Sequence, residues 1–378
     1  MGSDKAARTL IATAAFGLES VVASELHRLG YGDLATENGK VTFPATDADI
    51  ARCNINLRCA DRVLLQMGQF RATDFEELFQ GVKAIPWEGL IPENGVMHVT
   101  GKSVRSKLFS VPDCQSIAKK AVVEAMKRRY RTEKFPENGP VYRIEVALLK
   151  DVATISVDTS GPGLHKRGYR SDRGTAPLRE TLAAALVLLS RWRPDQIFAD
   201  PFCGSGTIAV EAALIGRNIA PGINRSFAAE DWPHLSRQLW MKAHDEARAA
   251  VRSDTLQILA SDHDWSVFKM ARENAERAGV AEAITFQKKP LAEFSSKKRG
   301  GVIVCNPPYG ERMGDTQAAE RLYEEMGRIF PGLPGWAVYV LTAHEEFEKF
   351  YGKKSDKNRK LYNGKIRCHL YQYTKDVG

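Results

Sequence analysis

Asn306-Pro307-Pro308-Tyr309 directly follows the apolar run Val302-Ile303-Val304-Cys305. β-Branched residues and a cysteine in this order read as a buried strand. The prolines stop it, because each lacks an N–H for the ladder and fixes φ. Asn306 is thereby set at a strand's carboxyl end, where open α/β sheets hold ligands. Its side-chain oxygen and the Pro307 carbonyl can each accept one hydrogen of an exocyclic base amine. Such an amine is a poor nucleophile while its lone pair is delocalised into the ring. Two acceptors favour a pyramidal nitrogen whose lone pair is free to attack. Tyr309 offers a ring face for a flipped-out base, an interaction of roughly 1–3 kcal/mol. A strand-ending Pro-Pro turn without chemistry is the bland alternative for the motif taken alone.

A second constellation lies upstream, in Asp200-Pro201-Phe202-Cys203-Gly204-Ser205-Gly206-Thr207. The pattern predicts a strand over 197–200 and a helix over 207–214. Gly204 and Gly206 permit the tight turn and close backbone approach of a ligand loop. The helix start presents free N–H groups to a carboxylate, and Asp200 can accept from an ammonium. A carboxylate beside an ammonium is the amino-acid end of S-adenosylmethionine. Phe202, Ser205 and Thr207 complete the candidate loop. A dinucleotide-binding G-x-G-x-x-G is the competing pattern; Ala209 fills its third position, and Asp200 would repel a pyrophosphate.

The next predicted strand, 256–260, runs into Ser261-Asp262-His263-Asp264. A carboxylate at that strand end accepts two hydrogen bonds from ribose hydroxyls. Asp262 is the candidate, with His263 beside it, while Asp264 can instead cap a helix over 265–278. After a third strand, 284–286, comes Gln287-Lys288-Lys289-Pro290, which leaves Glu293 as the nearest carboxylate for an adenine ring.

These groups must be positioned by more than one core, since 378 residues exceed an ordinary domain. Hydrophobic residues make up 43% and charged residues 26%, the composition of a soluble globular protein. No apolar run reaches membrane length, and the N-terminus lacks a secretory pattern, so a cytoplasmic chain is expected. Six cysteines without CxxC pairing argue against both a zinc site and a disulfide framework. No metal is expected. The oligomeric state is not legible.

Residues 1–160 carry 21 Lys/Arg against 20 Asp/Glu, whereas 161–378 carry 33 against 26. Within the neutral half, residues 102–134 hold ten bases and three acids, a patch suited to a polyanion. The patch centres on a helix predicted over 112–131, where Lys119, Lys120, Lys127 and Arg128 are candidate RNA contacts. A solvated helix face is the alternative. A Ser160-Gly161-Pro162-Gly163 boundary precedes the basic run 164–170, in which Lys166, Arg167 and Arg170 are candidate phosphate contacts. Pro177 stands near the start of a helix opening with Leu178 and Glu180. A further helix is expected over 233–251. Asn363-Gly364 signals a terminal hairpin with a type I′ turn. Residues 349–367, with eight bases and one acid, form a second basic face.

Asn306 to Tyr309 resembles the catalytic motif of amino-group methyltransferases acting on adenine or guanine. With residues 164–186 and 200–207, the chain resembles the THUMP-containing bacterial methyltransferases that form N2-methylguanine in large-subunit ribosomal RNA, with a tRNA guanine enzyme family close behind. The resemblance implies an α/β architecture. A ferredoxin-like module (1–65) and a THUMP RNA-binding domain (66–160) would precede a Rossmann-like class I methyltransferase domain (161–378), whose parallel sheet ends in an antiparallel hairpin. It implies that Leu178 and Glu180 lie on a helix closing over the cofactor, and that Asn306, Pro307, Pro308 and Tyr309 are catalytic. Adenine-N6 methylation of RNA or DNA stays open, as does a non-catalytic RNA-binding protein.

Overall fold

The computed structural model describes residues 7–170, 178–310 and 315–375. In the N-terminal half the elements run β1 (Arg8–Ala14), α1 (Glu19–Arg28), β2 (Ala35–Glu37), β3 (Lys40–Ala45), α2 (Asp47–Asn56) and β4 (Ala60–Arg71). They continue through α3 (Phe75–Lys83), β5 (Val96–Val104), α4 (Val111–Tyr130), β6 (Val141–Leu149) and β7 (Val152–Asp158). All seven strands form one sheet in the order β2-β3-β1-β4-β7-β6-β5. The twelve-residue β4 makes this continuity, pairing with β1 on one side and β7 on the other. The β6–β7 hairpin turns on Lys150 and Asp151, both at positive φ, as a tight primed turn requires. The face of α2 carrying Ile50, Cys53, Asn54 and Leu57 is buried as its spacing predicts.

The C-terminal half continues with α5 (Glu180–Leu189), β8 (Ile197–Asp200), α6 (Thr207–Gly216), α7 (Arg237–Ala249), β9 (Gln257–Asp262) and α8 (Trp265–Arg277). It ends with β10 (Ile284–Lys288), β11 (Gly301–Cys305), α9 (Asp315–Ile329), β12 (Trp336–Thr342), α10 (Phe347–Tyr351), β13 (Lys357–Asn363) and β14 (Ile366–Tyr373). The second sheet has the order β10-β9-β8-β11-β12-β14-β13, parallel as far as β12 and then antiparallel. Its strand order reverses between β8 and β11, the place where such sheets open a ligand crevice. The alanine-rich α5 and α6 are buried on nearly every side, which their lack of a polar stripe requires.

Three expectations change. The helix predicted over 233–251 begins only at Arg237, because Ser236 caps it by accepting from the Gln238 N–H at 3.2 Å. The hairpin's central residues are Gly364-Lys365, not Asn363-Gly364: Leu361 and Cys368 face the core, and that register draws Asn363 into the ladder opposite Ile366. Gly364 then stands first in the turn with φ +63°, the type II′ arrangement. The basic run 164–170, expected to meet phosphates, is not a surface segment throughout, since Leu164, Arg167 and Tyr169 are buried. The Pro177 helix-start expectation lies outside the described residues. Among the described residues, no helix is long and apolar enough to cross a membrane.

Candidate active site

The loop after β8 is shaped by its glycines. Gly206 takes φ +79° at the start of α6, and an added Cβ would lie 3.0 Å from the Cβ of Ala271 in α8. Gly204 has φ +49°, and nothing stands within 4 Å of where its Cβ would be. One glycine therefore serves helix packing and the other leaves the loop open to a ligand. The Asn274 side-chain amide in α8 donates to the Ser205 carbonyl at 2.9 Å. Arg277 donates to the Asn274 side-chain oxygen at 3.1 Å and to the Tyr169 carbonyl at 3.4 Å. Neither Asn274 nor Arg277 is marked by any local motif, because their roles depend on α8 crossing the loop.

Two carboxylates flank this loop. Asp262, at the end of β9, accepts the Gly204 N–H at 3.0 Å on Oδ2 and the Asp264 N–H at 3.1 Å on Oδ1. Each oxygen retains a lone pair for a hydroxyl donor. Asp264 caps α8, accepting from the Ser266 N–H at 2.8 Å. The His263 side chain is exposed, with Nδ1 3.4 Å from Asp262. Asp200 is 1% exposed. Its Oδ1 accepts the Phe202 N–H at 3.2 Å, but its buried Oδ2 has no hydrogen-bond partner. Burial, reinforced by the Asp262 charge, pushes the Asp200 carboxyl up to about 8. A buried acceptor left in this state fits a cationic donor, and the N-terminus of α6 beside it fits an anion.

Across the sheet, β11 pairs Ile303 with Ala199 of β8, so Asp200 and Asn306 emerge from neighbouring strand ends. Asn306 is half-buried, Pro307 buried and Pro308 exposed. The Pro308 carbonyl accepts from the Tyr323 hydroxyl of α9 at 2.7 Å, and the Gly310 carbonyl accepts from the Thr316 hydroxyl at 3.0 Å. The turn is thus fastened from outside itself. Tyr309 donates its hydroxyl to the Asn306 side-chain oxygen, and the Cys368 thiol donates to the Tyr309 oxygen at 3.7 Å.

The remaining expected residues separate. Leu178 is buried, and its carbonyl accepts from Arg170 at 3.0 Å. Glu180, in the first turn of α5, stands 3.6 Å from Arg170. Neither Leu178 nor Glu180 hydrogen-bonds the glycine loop among the described residues. Arg167 is a correction: its side chain is 2% exposed and pairs with the fully buried Glu211 at 3.4 Å. It also donates to the Leu164 and Arg58 carbonyls, leaving it no surface for a phosphate. Half-buried Arg170 is likewise engaged internally, and of the three only Lys166 is exposed. Glu293 is exposed, on a short turn of helix after β10.

On α4, Lys119 pairs with Glu137 at 3.3 Å and Lys127 with Glu133 at 2.9 Å, so the basic patch is partly neutralised. Lys120 stands 5.9 Å from the Phe79 ring centre, and Arg128 is exposed with no ion-pair partner among the described residues. Periodicity gave no hint of Phe109, which is 83% exposed in the loop between β5 and α4. That loop is pinned by Asp151 accepting the Lys107 N–H at 2.7 Å and by the Ser103 hydroxyl donating to the Leu108 carbonyl at 2.7 Å.

A parallel sheet closed by an antiparallel hairpin, with this glycine loop after β8 and Asn-Pro-Pro-Tyr after β11, defines a class I methyltransferase that uses S-adenosylmethionine. Family models match in three consecutive pieces: an RlmL ferredoxin-like domain over 9–64, a THUMP domain over 72–158 and an RMKL-like methyltransferase domain over 167–372. The chain belongs to this THUMP-containing, RlmL-like methyltransferase family. It is 52% identical to "Putative RNA methyltransferase YpsC" of Bacillus subtilis over 98% of its own length and 96% of that protein. It is 33% identical to ribosomal RNA large subunit methyltransferase K/L of Syntrophotalea carbinolica, covering 96% of this chain but only 53% of that protein. A structure from Listeria monocytogenes, called a predicted N6-adenine-specific DNA methylase, superposes with a TM-score of 0.93 at 50% identity, covering 97% of this chain and 96% of that one. Another, described as "SMU.472, a putative methyltransferase complexed with SAH", gives 0.92 at 44% identity over 98% of both chains.

Proposed function

We propose that this protein methylates the 2-amino group of a guanine in large-subunit (23S) ribosomal RNA. The observation carrying the reading is the placement of Asn306. Its side-chain oxygen, oriented by Tyr309, stands with the Pro307 carbonyl at the end of β11, one strand from the loop suited to the cofactor. The THUMP match and the name of the K/L relative support RNA over DNA.

When bound, S-adenosylmethionine supplies an electrophilic methyl group on a sulfonium. Asp200 Oδ2 accepts from its ammonium, the N–H groups opening α6 at Thr207 receive its carboxylate, and Asp262 accepts from its ribose hydroxyls. Phe202, Gly204, Ser205 and Gly206 shape the loop, with His263 beside Asp262 at its margin; Leu178 and Glu180, at the start of α5, would close over the bound cofactor. Asn306 and Pro307 draw the hydrogens of the target amine, Pro308 rigidifies the turn, and the Tyr309 ring stacks on the flipped base. Orientation does most of the work, so no covalent intermediate with the protein is needed. Lys119, Lys120, Lys127, Arg128 and Lys166 contribute phosphate contacts. The three units 1–65, 66–160 and 161–378 divide the labour, the first two holding RNA and the third carrying the chemistry. This reading places the enzyme in the cytoplasm.

Nucleoside mass spectrometry tests it. RNA from a strain lacking the gene should lose one N2-methylguanosine from 23S ribosomal RNA and regain it on complementation. Loss from tRNA, or loss of N6-methyladenosine, would overturn the assignment in favour of the corresponding alternative.

A further inference from the structure

The first module and the terminal hairpin meet at a seam beside the Asn306 turn. Gly17, at φ +92°, lies so close to β13 that an added Cβ would stand 2.7 Å from the Lys360 carbonyl. Glu19 holds this bend with both oxygens, accepting the Gly17 N–H at 2.8 Å and the Gly39 N–H at 2.9 Å. Arg359 donates to the Ser20 hydroxyl at 2.6 Å. The hairpin reaches the active site from its other strand: Cys368, opposite Leu361, contacts the Tyr309 hydroxyl.

At this fastened seam, Phe16 remains 49% exposed. Its ring meets Tyr362 edge to face, with centroids 5.8 Å apart at 81°. The Lys360 ammonium lies 5.5 Å from the centre of the Tyr362 ring. An interface built only for docking would bury such a phenylalanine. Here its open face is held on a rigid bend, beside the two bases Arg359 and Lys360. Aromatic faces in a positive groove are how single-stranded nucleic acid is held.

We infer that Phe16 and Tyr362 form an aromatic step at the mouth of the active site, on which a single-stranded nucleotide flanking the modified one stacks. The inference rests on the RNA-modifying reading above. It makes the first module part of substrate recognition next to the chemistry, with Lys360 and Arg359 supplying the adjoining phosphate contacts.

The test uses the full-length protein and a fluorescein-labelled single-stranded RNA twelve-mer, with anisotropy read across a salt series. Phe16→Leu keeps apolar contact with Tyr362 but removes the ring. It should weaken binding about tenfold, the scale of one lost stacking contact. The salt slope should stay unchanged, since no charge is removed. Phe16→Trp should restore affinity, and Lys360→Ala should flatten the slope. Cofactor affinity, measured by calorimetry, should match wild type and so reports an intact fold. With total RNA from the deletion strain as substrate, the Phe16→Leu defect should appear in KM more than in kcat. Wild-type binding and KM in Phe16→Leu would overturn the aromatic step while leaving the methyltransferase reading standing. Weakened binding in Phe16→Leu, with no methyl transfer by the wild type to any RNA, would support the step and overturn that reading instead.

Discussion

Tyr309 donates its phenolic hydrogen to the side-chain oxygen of Asn306, three residues earlier in the same turn. The bond fixes which way the amide points, and hence where its remaining lone pair is aimed. The pair is fastened on two sides, by the Cys368 thiol at the phenol oxygen and by Tyr323 at the Pro308 carbonyl. A tyrosine whose ring alone would serve as a stacking platform therefore also orients the Asn306 amide.

Tyr309→Phe separates those two roles. It keeps the ring and removes the hydroxyl, so kcat should fall about three- to tenfold, the value of one net hydrogen bond. The KM for RNA should change little. Tyr309→Ala should raise KM as well. Steady-state kinetics on both variants checks this, and equal defects in the two would mean that the ring contributes nothing.

Asn306→Ala should lower turnover by more than about 100-fold, by analogy with loss of one preorganised hydrogen-bonding group. Cofactor affinity should stay within about threefold, because Asn306 lies beyond the groups assigned to the cofactor. Asn306→Asp keeps an acceptor and should retain more activity than the alanine variant. Single-turnover methyl transfer distinguishes them, and a normal rate for the alanine variant would reduce Asn306 to a strand end.

Much of this site was legible because its signals are local. Apolar β-branched residues followed by Pro-Pro mark a strand end, and glycines between strand and helix mark a ligand loop. What stayed hidden depends on distant partners. The charge run 164–170 reads as surface, yet Arg167 finds Glu211 44 positions later and is buried with it. The joining of the first two units into one sheet follows from β4 pairing with β7, which no periodicity encodes. The hairpin was visible in Asn363-Gly364, but its register was set by Leu361 and Cys368 facing the core, so the turn moved by one residue.

Arg167→Ala should therefore act on stability. Breaking a buried pair leaves Glu211 uncompensated, at a cost of about 3–5 kcal/mol. Thermal unfolding should show a clear drop in Tm. The salt slope of RNA binding should not change, whereas loss of a true phosphate contact would reduce it by about 0.7 on a single strand. A stable Arg167→Ala protein with a shallower slope would return the residue to the RNA surface.

Asp262→Ala should weaken cofactor binding by removing charge-assisted hydrogen bonds of roughly 1.5–3 kcal/mol each. The Gly204 N–H would also lose its acceptor, so the loop should loosen, and hydrogen exchange at 202–206 should accelerate. Unchanged affinity by calorimetry would move the ribose contact to another carboxylate.

Asp200 gives the sharpest pH signature. Its folded pKa of about 8 reflects burial, opposed by the Phe202 N–H bond and reinforced by the Asp262 charge. An unfolded aspartate titrates near 3.9, so between about pH 4 and pH 8 the folded state binds more protons than the unfolded one. The stability this group contributes is full at the acid end and is lost as pH rises toward 8. Asp200→Asn imitates the protonated form, so its Tm advantage over wild type should grow from pH 5 to pH 8 and then level off. Cofactor binding should show the opposite preference. An ammonium needs the carboxylate, so binding at pH 7 should release a proton, and affinity should rise with pH. The rise should end near pH 8, because an α-amino group itself loses its charge at about 7.7–8.0. Asp200→Asn should bind weakly and release no proton. Calorimetry at pH 7 in two buffers of different ionisation enthalpy measures the release directly. Equal binding enthalpies for the wild type in both buffers would mean that Asp200 does not meet the ammonium.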